Sequence, residues 1–315
     1  MDYIGMLLSA VGQGLLYAPM AMGVYIAFRI LKTPDLTVDG SFVFGMTVCA
    51  VITVAGHPLL AIPAGVVAGA IAGWITGVLQ TTLCINAILS GILTMTGLYT
   101  INYAILGGQS NLYLQHMVTG QGGTQTPEAS VTIYRLFASA LDLGAYSEPI
   151  LTALITAAVA AVLIVFFKTH PGMAIRATGD NEEMVRSSSI NAGQARRTGI
   201  MMANALVGLS GALLCQQQRY ADLSSGSGTL VVGLASVIIG LVLFGRRSVT
   251  AGVLSAIVGS LLYRAILQAA YLIDMPSYMV KLLSAIIVVF ALTLPLIKKK
   301  AQAANTRQKA RKEAE

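Results

Sequence analysis

Long apolar runs broken by short polar stretches set the pattern of this chain. They fall at residues 5–28, 41–55, 58–80, 84–106, 150–167, 199–216, 231–244, 250–270 and 278–296. A helix needs roughly 20 apolar residues to cross the ~30 Å hydrocarbon layer of a bilayer, and most of the runs reach or approach that length. The runs at 41–55 and 231–244 fall short, which predicts discontinuous or re-entrant helices there rather than plain rods. The expected fold is an all-α integral membrane protein, a polytopic helical bundle of about 8–10 transmembrane segments with discontinuous helices. Residues 1–297 make up one transmembrane domain and 298–315 a basic tail.

Composition strengthens this reading. Of 315 residues, 56% are hydrophobic and 10% charged, and the mean hydropathy is +0.75. A soluble domain of that make-up would lack the polar surface to cover its core. Within the third run, Gly65, Gly69, Gly73 and Gly77 recur every four residues, a stripe that lets helices approach closely in lipid. It serves either static packing of a bundle or an interface that slides during transport.

Charge orients the spans, because short loops rich in Lys and Arg stay in the cytoplasm. The loop 168–198 carries Lys168, Arg176, Arg186, Arg196 and Arg197. Arg246 and Arg247 follow the seventh run, and the tail from Lys298 holds seven basic residues against two acidic ones. All three regions are expected to be cytoplasmic, with Arg29 and Lys32 on the same side. The connection 107–149 has only Arg135 against Glu128, Asp142 and Glu148, and the connections around Asp222 and Asp274 are also poor in basic residues. These are expected outside, with the N-terminus. The net charge of +7 reflects this bias and the tail; the tail either touches anionic lipid headgroups or is a solvated end. Nucleic-acid binding is not indicated.

Cys49, Cys84 and Cys215 are widely spaced, as are His57, His116 and His170. Neither set forms a disulfide framework, a CxxC pair or an HExxH spacing, and no nucleophile motif is present. The sequence therefore points to transport rather than catalysis. The segment Thr33-Pro34-Asp35-Leu36-Thr37-Val38-Asp39-Gly40-Ser41 places two carboxylates between apolar runs. Each would cost roughly 2.5–3.5 kcal/mol at the bilayer centre without a protein or water-lined home. Pro34 and Gly40 predict that a helix breaks and restarts here. Asp39 and Ser41 then either cap the helix starting near Phe42 or line a solute pathway. Asn86, Ser90 and Thr94 share one face of the next helix but one, as a pore wall or as interhelical hydrogen-bonding groups.

The loop 168–198 contains Arg176-Ala177-Thr178-Gly179-Asp180-Asn181-Glu182-Glu183-Met184-Val185-Arg186-Ser187-Ser188-Ser189-Ile190-Asn191-Ala192-Gly193. Asp180 or Asn181 suits an N-cap, Glu182 and Glu183 complement the positive helix end, and Asn191 to Gly193 suits a stop. These features predict a short helix from Asp180 to Ile190 that meets a protein partner.

This run resembles the coupling loop of permeases in the branched-chain amino acid and ribose class of ABC importers, whose pattern is roughly Arg-Ala-x-Gly-x-Asn, two acidic or small residues, then a helix ending Gly-Ile-Asn. Ser189 stands where that pattern has glycine. Asp35 to Ser41 is similar to the Asp-Leu-Ser-Val-Gly-Ser motif of sugar permeases, with Asp39 as an addition, and Gly233 to Gly240 resembles a late segment ending in glycine. The Thr-Val-Asp-Gly-Ser version looks closest to the subfamily associated with tryptophan and tyrosine uptake. The resemblance implies a type II importer in a bacterial inner membrane. Its parts would be a second copy of the permease, two ATPase subunits holding ATP and Mg, and an extracytoplasmic solute-binding protein. This chain would bind no cofactor itself, and it carries no GxxxxGK[ST] phosphate loop.

The ATPase contact implied by the resemblance comprises Gly179, Asp180, Asn181, Glu182, Glu183, Met184, Arg186 and Ile190. The candidate pathway residues are Asp39, Ser41, Asn86, Ser90 and Thr94. The competing reading is an ion-gradient-driven secondary transporter in which Asp35 or Asp39 binds a proton or sodium.

Overall fold

The computed structural model describes residues 3–119, 125–141, 146–244, 248–271, 279, 282–290 and 293. The expectations at Asp142, Arg246, Arg247, Asp274 and the tail lie outside the described residues. Helix α1 (Tyr3–Val24) runs on into a wider π-helical turn, Tyr25–Ile30. It is followed by α2 (Val38–Val54), α3 (Pro58–Thr81) and α4 (Ala87–Ile105), then α5 (Ile133–Leu141), α6 (Ser147–Phe166), α7 (His170–Asp180) and α8 (Glu182–Ser187). The last described elements are α9 (Ala192–Gln218), α10 (Thr229–Phe244) and α11 (Val249–Tyr271). Among the described residues seven helices are long and apolar enough to cross a membrane, and Val38–Val54 is a shorter apolar helix. The ninth apolar run is described at residues 279, 282–290 and 293, where it is helical.

Two small ribbons, which the apolar pattern did not foretell, interrupt the helices. β1 (Asn111–Tyr113) pairs antiparallel with β4 (Tyr220–Asp222), and β2 (Gln115–Thr119) pairs antiparallel with β3 (Gln125–Ala129).

Cross-links between distant segments define the two ends of the bundle. Lys32 bonds Asp180 at 2.8 Å, and Arg197 at the start of α9 donates to Thr81 and Thr82 at the end of α3. The basic residues of α1, α7, α8 and α9 therefore collect at one end. The β1–β4 ribbon fastens the chain after α4 to the chain after α9 at the opposite end.

α9 is the axis of the fold and is buried along most of its length. The stripe of α3 lies against it. A Cβ added at Gly69 would sit 2.2 Å from the Asn204 carbonyl oxygen, and Gly65, Gly73 and Gly77 meet Ala212, Ile200 and Arg197 in turn. This antiparallel seam is backbone against backbone, the packing that small residues permit in lipid, where no hydrophobic force drives helices together. The outward faces of α3, α4 and α6 carry exposed Leu59, Trp74, Ile92, Leu154 and Val162, as a lipid-facing surface requires.

Register along α9 shows why two apolar runs are short. α2 runs parallel to it, with Ser41 bonded to Asn204, Cys49 to the Ala212 carbonyl and Thr53 to Gln216. Asn204 is twelve residues beyond the start of α9, about 18 Å along at 1.5 Å per residue. α2 thus begins well inside the bundle, after residues 31–37 have climbed back from the basic end. The chain after β4 does the reverse. It descends through a 3-10 turn, Leu223–Gly226, until Gly226 rests on the Asp39 backbone and Val43. α10 then starts at the depth where α2 starts and runs the other way, passing Val24 at Gly233 and Ser255 at Gly240. Both short runs form helices that start inside the bundle, of 17 and 16 residues, although with the turn before it α10 belongs to a segment long enough to cross, Leu223–Phe244.

Candidate functional site

Where these two short helices begin, the polar residues of the interior converge. Asp35 is fully buried. Its Oδ1 accepts from the Thr37 amide at 2.9 Å and its Oδ2 from Asn204 Nδ2 at 2.7 Å. Asn204 also accepts from Ser41 Oγ at 2.6 Å and donates to the Ile200 carbonyl. Hydrogen bonds thus replace the solvation that a buried carboxylate loses. Beside this group Thr37, Thr76 and Thr94 form a hydroxyl chain with links of 2.8 and 3.0 Å.

Asp39 departs from one of its two expected roles, the cap of its own helix. It lies in the first turn of α2, and its carboxylate caps α10 instead of its own helix. Oδ1 accepts from the Leu230 amide and the Thr229 hydroxyl, both at 2.8 Å, and Oδ2 from the Gly228 amide at 3.1 Å. Asp39 therefore answers the positive pole of a helix whose sequence begins almost two hundred residues later. The approach requires Gly226, since a Cβ there would stand 2.4 Å from the Asp39 carbonyl oxygen.

A cavity of about 380 Å³ opens next to this cap. Asp39, Val43, Met95, Tyr99, Asn102 and Ser227 are among its walls. The walls are mostly apolar with a few hydroxyl, amide and carboxylate groups, the usual make-up of a small-solute site. Of the five candidate pathway residues, Asp39 alone reaches it. Ser41 belongs to the Asp35–Asn204 group. Asn86 accepts from the Ile88 amide and caps α4 near the basic end. Ser90 and Thr94 are buried, bonded to the Ala87 and Ser90 carbonyls, and Thr94 faces Thr76. The structure brings Ser41 and Thr94 to neighbouring networks and leaves Asn86 apart. Met95, Tyr99 and the Leu223–Ser227 descent were missed. The i, i+4 spacing of Met95 and Tyr99 and the Gly-Ser-Gly before an undersized run were the available signals.

At the basic end, the expected helix from Asp180 to Ile190 is shorter. Asp180 ends α7 and pairs with Lys32, and Gly179 packs on the Ile30 backbone. Asn181 is the cap of α8, accepting from the Met184 amide at 3.1 Å. α8 stops at Ser187, and Ser189 adopts a left-handed φ of 59°. Asn191 is a start and not a stop: its side chain accepts from the Gln194 amide and caps α9. Glu182 pairs with Arg186 at 2.8 Å and with Arg196 of α9 at 2.5 Å. Glu183, Met184 and Ile190 are exposed, and Glu183 makes no ion pair among the described residues.

A bundle with seven helices long and apolar enough to cross a membrane, and two short helices that start side by side next to a cavity open to the surface, has the build of a polytopic membrane permease. The chain belongs to the family of permease components of branched-chain amino acid transport systems, whose family model matches residues 6–292. It is 34% identical over 288 residues to the tyrosine transport system permease protein of Clostridioides difficile (strain R20291), covering 90% of this chain and 89% of that protein. It is 30% identical over 241 residues to an uncharacterized protein of Rickettsia prowazekii (strain Madrid E), covering 76% and 79%. No solved structure matches.

Proposed function

We propose that this chain is the membrane-spanning subunit of an ATP-driven importer for an aromatic amino acid in a bacterial inner membrane. Two copies pair around a pathway that includes the cavity beside Asp39. The basic end faces the cytoplasm, where two separate ATPase subunits use ATP and Mg, and a solute-binding protein delivers solute at the opposite end. The printed name of the Clostridioides relative supports an aromatic solute, as do the Met95 and Tyr99 walls.

The observation that carries the coupling is the way α8 is held. Its outer face offers Glu183 and Met184 to a partner, while Glu182 ties its inner face to Arg196 of α9. α9 carries Asn204, so a push on α8 reaches the start of α2 through one rigid rod. ATP and loaded binding protein then bias the same two arrangements in opposite directions.

The test is the double substitution Glu183→Lys/Met184→Asp in a chain co-expressed with the proposed ATPase subunits. Both side chains are exposed, so the melting temperature should hold while ATPase co-purification and ATP-dependent uptake in proteoliposomes fall at least tenfold. Unchanged uptake would overturn the coupling assignment, and uptake driven by an ion gradient without any ATPase would make this a secondary transporter.

A further inference from the structure

A second cavity, of about 260 Å³, lies at the basic end among the π-helical turn Tyr25–Ile30, α7, Leu241 of α10 and Ser248 and Val249 at the start of α11. Arg29, Lys32 and Arg176 converge on it from two elements, with the Tyr25 and Ser248 side chains and Asp180 completing the polar walls. Asp180 answers Lys32. Arg29 and Arg176 have neither a hydrogen bond nor an ion pair among the described residues, which leaves two uncompensated guanidinium groups in one recess. Loop arginines that only set topology would splay into solvent; here Arg29, in the π-helical turn, is half-buried and shares walls with Leu241 and Val249 of two other helices, and the more exposed Arg176 lines the same recess.

The depth of the recess narrows the ligand. Its walls belong to the ends of spans, Leu8–Ile30 and Val249–Ala270, so it sits at the level of the headgroups. Guanidinium pairs bind phosphate by bidentate hydrogen bonds, and basic recesses between spans at the cytoplasmic side suit acidic lipid headgroups. We infer that this recess binds a phosphate-bearing anion, with Arg29 and Arg176 as its principal contacts and Tyr25 and Ser248 as added hydroxyl donors. The anion comes from an anionic phospholipid or from free phosphate. It ties α1, α11 and α7 together, one residue before the cap of α8, so its occupancy steadies the platform on which α8 stands. The inference concerns binding and does not depend on the transport reading.

The experiment uses the full chain, delipidated in detergent and offered phosphatidylglycerol, phosphatidylcholine or inorganic phosphate, with bound species counted by native mass spectrometry. Phosphatidylglycerol should be retained over phosphatidylcholine. Arg29→Gln/Arg176→Gln should lower its retention by roughly fivefold per arginine, about 25-fold together. Arg29→Lys/Arg176→Lys should keep most of it and guards against a misfolded variant. Lys168→Gln, which removes an exposed charge elsewhere on the same face, should change nothing. Binding of inorganic phosphate that the two Gln substitutions abolish, without retention of phosphatidylglycerol, would assign the same site to the soluble anion. Equal retention of the two lipids with no phosphate binding, or retention unchanged in the Gln pair, would overturn the inference.

Discussion

Replacing Asp39 separates a structural cap from a solute contact. In Asp39→Ala, the Gly228 and Leu230 amides and the Thr229 hydroxyl lose their acceptor together. Interhelical hydrogen bonds in membranes average about 0.6 kcal/mol, so three give a floor near 2 kcal/mol. Bonds to a charged acceptor are worth roughly 1.5–3 kcal/mol each, and a carboxylate at a helix N-terminus adds up to about 2 kcal/mol when partly buried. The adjoining cavity lets water replace part of this. A loss of about 3 kcal/mol is expected for Asp39→Ala, and about 1 kcal/mol for Asp39→Asn, which keeps one oxygen but not the charge. Melting in detergent followed by size exclusion should show shifts of about 6 °C and 2 °C, at roughly 2 °C per kcal/mol. An Asp39→Ala chain that melts with the parent yet fails in uptake would refute the cap and leave a solute contact in its place.

The α3–α9 seam makes a sharper steric prediction: Gly69→Ala should lower melting by about 2–3 kcal/mol, whereas Gly97→Ala, with open space around it, should be neutral or slightly stabilising. Ser189→Gly should stabilise by about 1 kcal/mol, because a non-glycine residue in the left-handed region costs roughly that much; unchanged melting would show that the exposed turn relaxes around the serine.

What could be read from the sequence was what depends on one dimension. Apolar run length located the helices and singled out 41–55 and 231–244 as incomplete, because a shortfall in length is a local property. Caps were half legible. Asp180 or Asn181 was expected at the head of α8, and the structure gives the place to Asn181, but Asn191 looked like a terminator, since Asn suits both the left-handed end of one helix and the cap of the next. The structure gives the left-handed residue to Ser189 and the cap to Asn191, a division that only the neighbouring geometry decides. The cap from Asp39 to α10 was out of reach because its partners are about 190 residues away. For the same reason the cavity residues on α4 could be assigned to a helix face but not to the face that meets Leu223–Ser227.

Asp35, between α1 and α2, and Asp39, in the first turn of α2, also bear on the proposed energy source. Two helix starts at the same depth present two positive poles to the interior, and each has its own acid: Asp35 takes the Thr37 amide at the start of α2, and Asp39 takes the start of α10. Every carboxylate oxygen of the pair already accepts at least one hydrogen bond from the protein. Protonating Asp39 would weaken its cap, and sodium at Asp35 would have to displace Asn204, the residue that joins α2 to α9. A coupling ion would thus be bound at the expense of the fold at the point where both discontinuous helices are anchored. In the proposed importer, energy delivered from outside through α8 and along α9 would leave both caps intact.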